Sequence, residues 1–285
     1  MMRVSHYIKK WFPVFALPTF LCFILAFIVP FAMGLYLSFT SFRTVNDATW
    51  VGLDNYVRAF TQNGDFLASL WFTVKFTVVS VITVNVLGFT VAMLLTRAIR
   101  GRNVFRAVFF LPNLIGGIVL GYIWQLILNA ILQAMFHQDL TYSATYGFWG
   151  LVILVNWQMV GYMMVIYIAG IQNIPTDVLE AADIDGARFR HKLFSVIIPM
   201  MAGSITICTF LTLSNCLKMF DQNLALTNGA PQNQSEGAAL NIFRVFYKLR
   251  NQQGVGQAEA VIFFVFVAVV AYLQLRATRS KEVDA

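Results

Sequence analysis

Charged side chains are scarce in this sequence. Only 12% of its 285 residues are Asp, Glu, Lys or Arg, 59% are hydrophobic, and mean hydropathy is +0.70. Soluble domains carry roughly twice that share of charge, so a water-soluble globular protein is excluded and an integral membrane protein is indicated. Cysteine is as sparse. Cys22, Cys208 and Cys216 fall within or at the end of apolar runs, are odd in number and form no CxxC pair, which gives no basis for a disulfide framework or a thiolate metal site. No Asp or Glu lies in the middle of an apolar run, Glu259 falling at the edge of the last; His6, His137 and His191 lie outside the runs, and Lys75 is the one other charge within, near an end where it can snorkel. A proton relay, a carboxylate ion site, a His-based metal centre and an intramembrane protease dyad are all hard to build from that inventory. The glycine-rich phosphate loop of ATPases is missing. There is no regular repeat of 20 to 50 residues and no low-complexity tract. Nothing here marks an enzyme.

What the sequence has is long apolar runs. With about 20 residues needed to cross a bilayer, the chain reads as a single all-α membrane domain over 1–285 with six spans, near 14–39, 72–96, 107–128, 148–170, 197–217 and 257–275. The basic stretch at Arg3, Lys9 and Lys10 could open a signal peptide, but residues 11–42 contain no charge, which is too long for a cleavable core and fits an uncleaved first span. The net charge of +7 is explained by orientation, because the basic residues flank the runs and form no patch for nucleic acid. Arg3, Lys9, Lys10, Arg97, Arg100, Arg102, Arg106, Arg188, Arg190, Lys192, Arg276, Arg279 and Lys281 fall on one side; Arg43, Arg58, Lys218, Arg244, Lys248 and Arg250 fall on the other. The positive-inside rule puts the first set, and both termini, in the cytoplasm.

Within the spans the polar groups are neutral: Asn85 in the second, Asn113 and Trp124 in the third, Asn156, Trp157, Gln158 and Tyr162 in the fourth, Thr212, Ser214 and Asn215 in the fifth. Amides and aromatic faces suit a hydroxyl-rich solute, which makes Asn85, Asn113, Asn156, Trp157, Gln158 and Asn215 candidates for a substrate pathway. The same groups also serve as glue between helices or as interfacial aromatics. Asn156 and Gln158 flank Trp157, so at most part of this cluster faces one pathway.

The stretch PTDVLEAADIDGARFRHKLFSVIIP, 175–199, is a charged insert between the fourth and fifth spans. Asn173 is a candidate N-cap, Pro175 suits the first turn, and Val178, Leu179, Ala182 and Ile184 share a face. Gly186 suits a left-handed C-terminal cap, and a second helix then leads to Pro199. The plain reading is an amphipathic connector on lipid headgroups, with Glu180 paired to Arg188 or Lys192.

Glu180, Ala181, Ala182, Gly186 and Pro199, with Val196 and Ile198 as conservative replacements, resemble the cytoplasmic EAA loop of ATP-binding-cassette importer permeases: EAA, three residues, Gly, nine residues, Ile, one residue, Leu-Pro. The IDGA form, with Asp185 before Gly186, is similar to the carbohydrate branch of that family. Two further segments give support. WVGLDNYVRAF (50–60) resembles the element after the first span of many sugar permeases, and LTNGAP (226–231) is similar to the family's LTxGGP turn with Ala230 at the second glycine. The plain alternatives are an interfacial segment anchored by Trp50 and Tyr56, and an ordinary Gly-Pro loop.

The resemblance implies a bacterial plasma-membrane permease subunit for a sugar or oligosaccharide. Glu180, Ala181, Ala182, Asp185, Gly186 and Pro199 would then couple it to ATPases. Its partners would be a second, similar permease in a heterodimer, two ATPase subunits and an extracytoplasmic sugar-binding protein, within membrane lipid. ATP and magnesium would belong to the ATPases, with no cofactor in this chain. The alternative is an ion- or proton-coupled secondary transporter of a small polar solute, which intramembrane carboxylates or inverted broken-helix halves would favour.

Overall fold

A computed structural model describes residues 2–61, 64–97 and 99–279. Lys281, counted above among the basic residues of the tail, lies outside the described residues. Contacts divide the chain into two compact units.

The first unit comprises the residues up to Gly64 together with Ile242–Ile262. Helix α1 (Met2–Phe23) passes through a π-helical turn, Ile24–Ile28, into α2 (Val29–Leu37). The wide turn stands directly before Pro30, whose missing N–H and bulky ring a regular α-turn does not accommodate. Strands β1 (Thr40–Ser41) and β2 (Thr49–Trp50) pair antiparallel, Thr40 opposite Trp50. Helix α3 (Asp54–Thr61) follows.

The second unit, Asp65–Asn241 with the chain from Phe263, contains the main core. It comprises α4 (Gly64–Leu95), α5 (Arg102–Phe110), a 3-10 turn Leu111–Leu114, α6 (Gly117–Phe136), α7 (Ala144–Gln172), α8 (Thr176–Ile184), α9 (Phe189–Lys192), a π-turn Leu193–Ile197, α10 (Ile198–Met200), α11 (Ala202–Leu217) and α12 (Asp221–Leu226). Helix α13 (Ala238–Lys248) and the last helix α14 (Gln253–Arg279) contribute to both units. The core centres on α7, where Leu151, Leu154, Met163 and Met164 are wholly buried; Phe76 and Val84 of α4 and Cys208 of α11 are buried in the same cluster.

Among the described residues, Val14–Leu37, Asp65–Leu95, Gly117–Phe136, Ala144–Gln172 and Gln253–Thr278 are long and apolar enough to cross a membrane. A pair of helical segments, Phe189–Met200 and Ala202–Leu217, bent by 73° at its break, meets the same test of length and composition only when the two are taken together. Two expected spans are thereby corrected. The third lies at 117–136, not 107–128, because Pro112 sits in the 3-10 turn and Gly116 is extended (φ −60°, ψ 140°), which ends α5 and restarts the helix. The fifth is broken: Pro199 lacks the N–H that would bond back to Ser195, the chain widens into the π-turn before it, and Met201 (φ −95°, ψ 9°) makes the bend. Helix α11, at 16 residues, is about 24 Å long, shorter than the hydrocarbon core of about 30 Å.

Candidate functional site

Two parts of the second unit carry the chemistry singled out in the sequence. The first is the 175–199 loop. Pro175 (φ −57°, ψ 134°) is the N-cap of α8, while Asn173, expected in that role, instead closes the end of α7. The proline needs no N–H there and its ψ turns the chain into the helix. At the other end Gly186 has φ +72°, its N–H donates to the Asp183 carbonyl (3.1 Å), and the Ala187 N–H donates to the Ala182 carbonyl (3.0 Å). That is a Schellman cap, which a side chain at 186 would strain.

Lys192 Nζ reaches Asp183 Oδ2 at 2.7 Å and straps α9 to α8. Asp183, not Glu180, is thus the acid that pairs with Lys192. The apolar face is also rearranged: Leu179 packs on the core, but Val178 points outward and Ile184 is 86% exposed. Glu180, Ala181, Asp185 and Gly186 are exposed with it, so the turn offers small residues, carboxylates and one bare isoleucine. Pro199 is exposed beside Ile198, Ala202, Ile205 and Thr206.

The second part is a cavity of about 620 Å³ lined by Asn113, Gln158, Tyr162, Asn215, Lys218, Asp221 and Gln222, with Val155, Met159, Cys216, Met219 and Phe220. Gln158 is the midpoint of α7, so the cavity opens halfway along that span. Three elements converge on it. The 3-10 turn contributes Asn113, α7 contributes Val155, Gln158, Met159 and Tyr162, and the segment from the end of α11 to the start of α12 contributes the rest.

Helix α12 is brought back against α6 by small residues. A Cβ on Gly121 would stand 2.6 Å from Ala225 Cβ, and one on Gly117 would stand 2.7 Å from Asp221 Cβ. The Gln125 amide donates to the Leu226 carbonyl (2.9 Å) and Gln222 Nε2 donates to Gln158 Oε1 (2.9 Å). Behind it Asn223, fully buried, donates to Thr227 Oγ1 (3.0 Å) and the Ser235 carbonyl (2.8 Å), and accepts from the Gly237 N–H (2.8 Å). The 226–231 turn belongs to this knot, with Asn228 and Gly229 at φ +48° and +83°.

The cavity brings together Asn113, Gln158 and Asn215 of the six pathway candidates. Asn85 instead accepts from the Tyr167 hydroxyl (2.7 Å) and donates to the Val81 carbonyl (2.7 Å), tying α4 to α7. Asn156 donates to Thr83 Oγ1 (2.9 Å) and the Val152 carbonyl (2.8 Å), a second tie between the same helices. Trp157 points away from the cavity lining, edge-on to Trp124 (5.6 Å). Desolvated amides inside a bundle take the nearest partner, and for these two it is the neighbouring helix.

Lys218, Asp221 and Gln222 are not among the candidates, because they fall between the expected spans at 197–217 and 257–275. The available signal was Asp221, an acid at a helix start, followed by the turn at 226–231. The site therefore carries one cation and one carboxylate besides its amides and a phenol, and its formal charge balances.

Comparison with known proteins agrees with this architecture. The family model described as "Binding-protein-dependent transport system inner membrane component" matches residues 84–281. A relative from Thermoanaerobacterium thermosulfurigenes, the "Probable starch degradation products transport system permease protein AmyD", is 42% identical over 295 residues and covers 100% of both chains. The "Multiple sugar-binding transport system permease protein MsmF" of Streptococcus mutans is 29% identical over 284 residues, covering 96% of this chain and 97% of its own. A chain in the crystal structure of a bacterial ABC transporter involved in the import of the acidic polysaccharide alginate superposes with TM-score 0.81 at 17% identity, over 98% of this chain and 99% of that one. The chain belongs to the family of binding-protein-dependent transport system inner membrane components, as a multi-pass membrane protein.

Proposed function

We propose that this chain is a permease subunit of an ATP-driven importer and that a neutral sugar or oligosaccharide passes through the cavity at Gln158. The observation that carries this reading is the lining itself: four amides, a phenol and an aromatic face with balanced charge, in a volume within the range of about 300–1,000 Å³ common for small-ligand sites. Hydroxyls both donate and accept, as amides do, and sugar C–H faces stack on rings such as Phe220. An acidic polymer would leave Asp221 facing a like charge with Lys218 as its one cation. The names of the relatives, which concern starch degradation products and multiple sugars, support a sugar.

The exposed turn at Ile184–Gly186 is the docking point for an ATPase. Closure of two such ATPases moves α8 and α9 as one body, because Lys192 and Asp183 join them. The motion passes through the bend at Met201 into α11, whose end at Asn215 and Cys216 lines the cavity. On this reading the chain itself is non-catalytic and holds no cofactor, with ATP and magnesium in the ATPases. A second permease in a heterodimer and an extracytoplasmic binding protein complete the importer. The chain sits in the bacterial plasma membrane with both termini and the 175–199 loop cytoplasmic, as its basic residues favour.

The test is purification of the tagged chain in mild detergent from its own host's membranes. A co-purifying ATPase, lost when Gly186→Trp is introduced, is the expected result. A wild-type chain recovered alone, under conditions that keep a known importer intact, would overturn the proposal.

A further inference from the structure

Helix α3 has its polarity reversed. An amphipathic helix on a globular surface turns its apolar stripe inward, yet the buried face of α3 carries Asn55 and Ala59, while Val57 and Phe60, with Leu53 in the turn just before the helix, point outward at 57%, 46% and 64% exposure. The orientation is fixed by bonds. Asn55, 1% exposed, donates from Nδ2 to the carbonyls of Ser38 (2.9 Å) and Thr40 (2.8 Å), and Tyr56 turns its hydroxyl onto Ser38 Oγ (2.7 Å). Ala59 is wholly buried against Val245 and Val255. Rolling the stripe inward would break all of these.

The stripe is continuous with the surface of the first span. Trp50, 65% exposed, stacks on Phe39 (5.5 Å) and lies 6.1 Å from Tyr36, the aromatic pair at the end of α2. Tyr36 is exposed in turn, and the apolar window of the span below it has no buried residue. From the end of the first span, then, one apolar surface runs over Tyr36 and Trp50 onto Leu53, Val57 and Phe60. Trp and Tyr at the end of a span mark the depth of the headgroups, and a short helix with an apolar stripe at that depth meets lipid first. Tyr56, which the sequence offers as an anchor, is excluded from that role by its inward hydrogen bond.

We propose that α3 is an interfacial anchor: it lies along the bilayer surface where the first span emerges, with Leu53, Val57 and Phe60 in the boundary between acyl chains and headgroups and Trp50 among the headgroups. Its partner is the lipid surface. This goes beyond the transport reading and does not depend on it, since it requires only that the first span crosses the membrane.

The test uses the full chain in its assembled complex, in phospholipid nanodiscs. Cys22→Ser removes the one exposed thiol, Cys208 and Cys216 being buried. Nitroxide labels are then placed singly at Val57→Cys, Phe60→Cys and, as a water-side control in the hairpin, Asn46→Cys. Collision rates with oxygen, which partitions into lipid, and with a water-soluble nickel chelate are read by electron paramagnetic resonance. At 57 and 60 oxygen should collide several-fold more often than the chelate, with the order reversed at 46. Chelate access at 57 and 60 equal to that at 46 would overturn the proposal. So would shielding from both probes, with or without the extracytoplasmic binding protein, because the stripe would then be a protein-docking face. If the unlabelled complex transports no sugar while these rates come out as expected, the sugar-permease reading fails and the anchor stands.

Discussion

Asn223 is the residue through which the cavity is most open to attack from behind. Its side chain has three partners, all at hydrogen-bonding distance, and no exposure to water. Asn223→Ala strips the Gly237 N–H and the Ser235 carbonyl of their bonds, at about 1–3 kcal/mol for each buried group left unpaired. The knot over 223–237 is thus destabilised by roughly 2–6 kcal/mol. Local units open independently of the whole, so the loss falls on α12 and its turn and not on the α7 core. At the low end, about 2 kcal/mol, amide hydrogen exchange across 221–237 should accelerate about 30-fold. The neighbouring Gln222 to Gln158 bond loosens with it, and the Michaelis constant for uptake should rise while the assembled complex still forms. Asn223→Asp keeps the acceptor for Gly237 but removes both donors and buries a carboxylate, so it should act in the same direction. Exchange within threefold of wild type in both variants, with an unchanged Michaelis constant, would refute the positioning role.

Three other substitutions and one change of pH separate the parts of the account. Gly186→Trp forces a side chain into a left-handed residue, about 1–2 kcal/mol of local strain, at a fully exposed turn. The variant should insert and fold normally but stimulate no ATP-dependent uptake, and Ile184→Asp should do the same through the docking surface alone. A Cβ on Gly161 would run into the Phe109 backbone carbonyl, so Gly161→Leu should prevent α5 from packing on α7 and yield no monodisperse protein in size-exclusion chromatography. In the hairpin, N–H donors of Thr44 and Arg43 hold the Asp47 carboxyl below its ordinary value. A depressed carboxylate contributes above its unfolded pKa and loses that contribution as pH falls through the folded one. Exchange protection at Thr44–Asp47 should therefore persist at pH 6 and disappear on acidification below about 3.9, the ordinary Asp value; protection unchanged at pH 2 would contradict this.

Much of the architecture was legible in the sequence because the bilayer imposes it. Apolar runs of the right length gave the spans at 14–39, 148–170 and 257–275 nearly as built, and Pro175, Gly186 and Pro199 mark the turns of the 175–199 loop where the chain turns. Averaging over a window hid the rest. Residues 107–128 carry no charge and are mostly apolar, so the break at Pro112 and Gly116, which carries Asn113 into the cavity, barely lowers the mean. The return of α12 is not a local property: it depends on Gly117 and Gly121, a hundred residues earlier, leaving room for Asp221 and Ala225. The amides could not be sorted either. Asn85 and Gln158 look alike in sequence, and only the position of Tyr167 beside one and the cavity beside the other separates helix glue from lining.

The central claim, that a neutral sugar crosses at Gln158 under power from partner ATPases, is tested most directly by uptake into proteoliposomes holding the co-purified complex and its binding protein. Labelled neutral oligosaccharide should accumulate when ATP and magnesium face the ATPases, with Asn215→Leu and Gln158→Leu raising the Michaelis constant and Gly186→Trp abolishing uptake. Accumulation driven by a proton gradient without ATP would contradict the account.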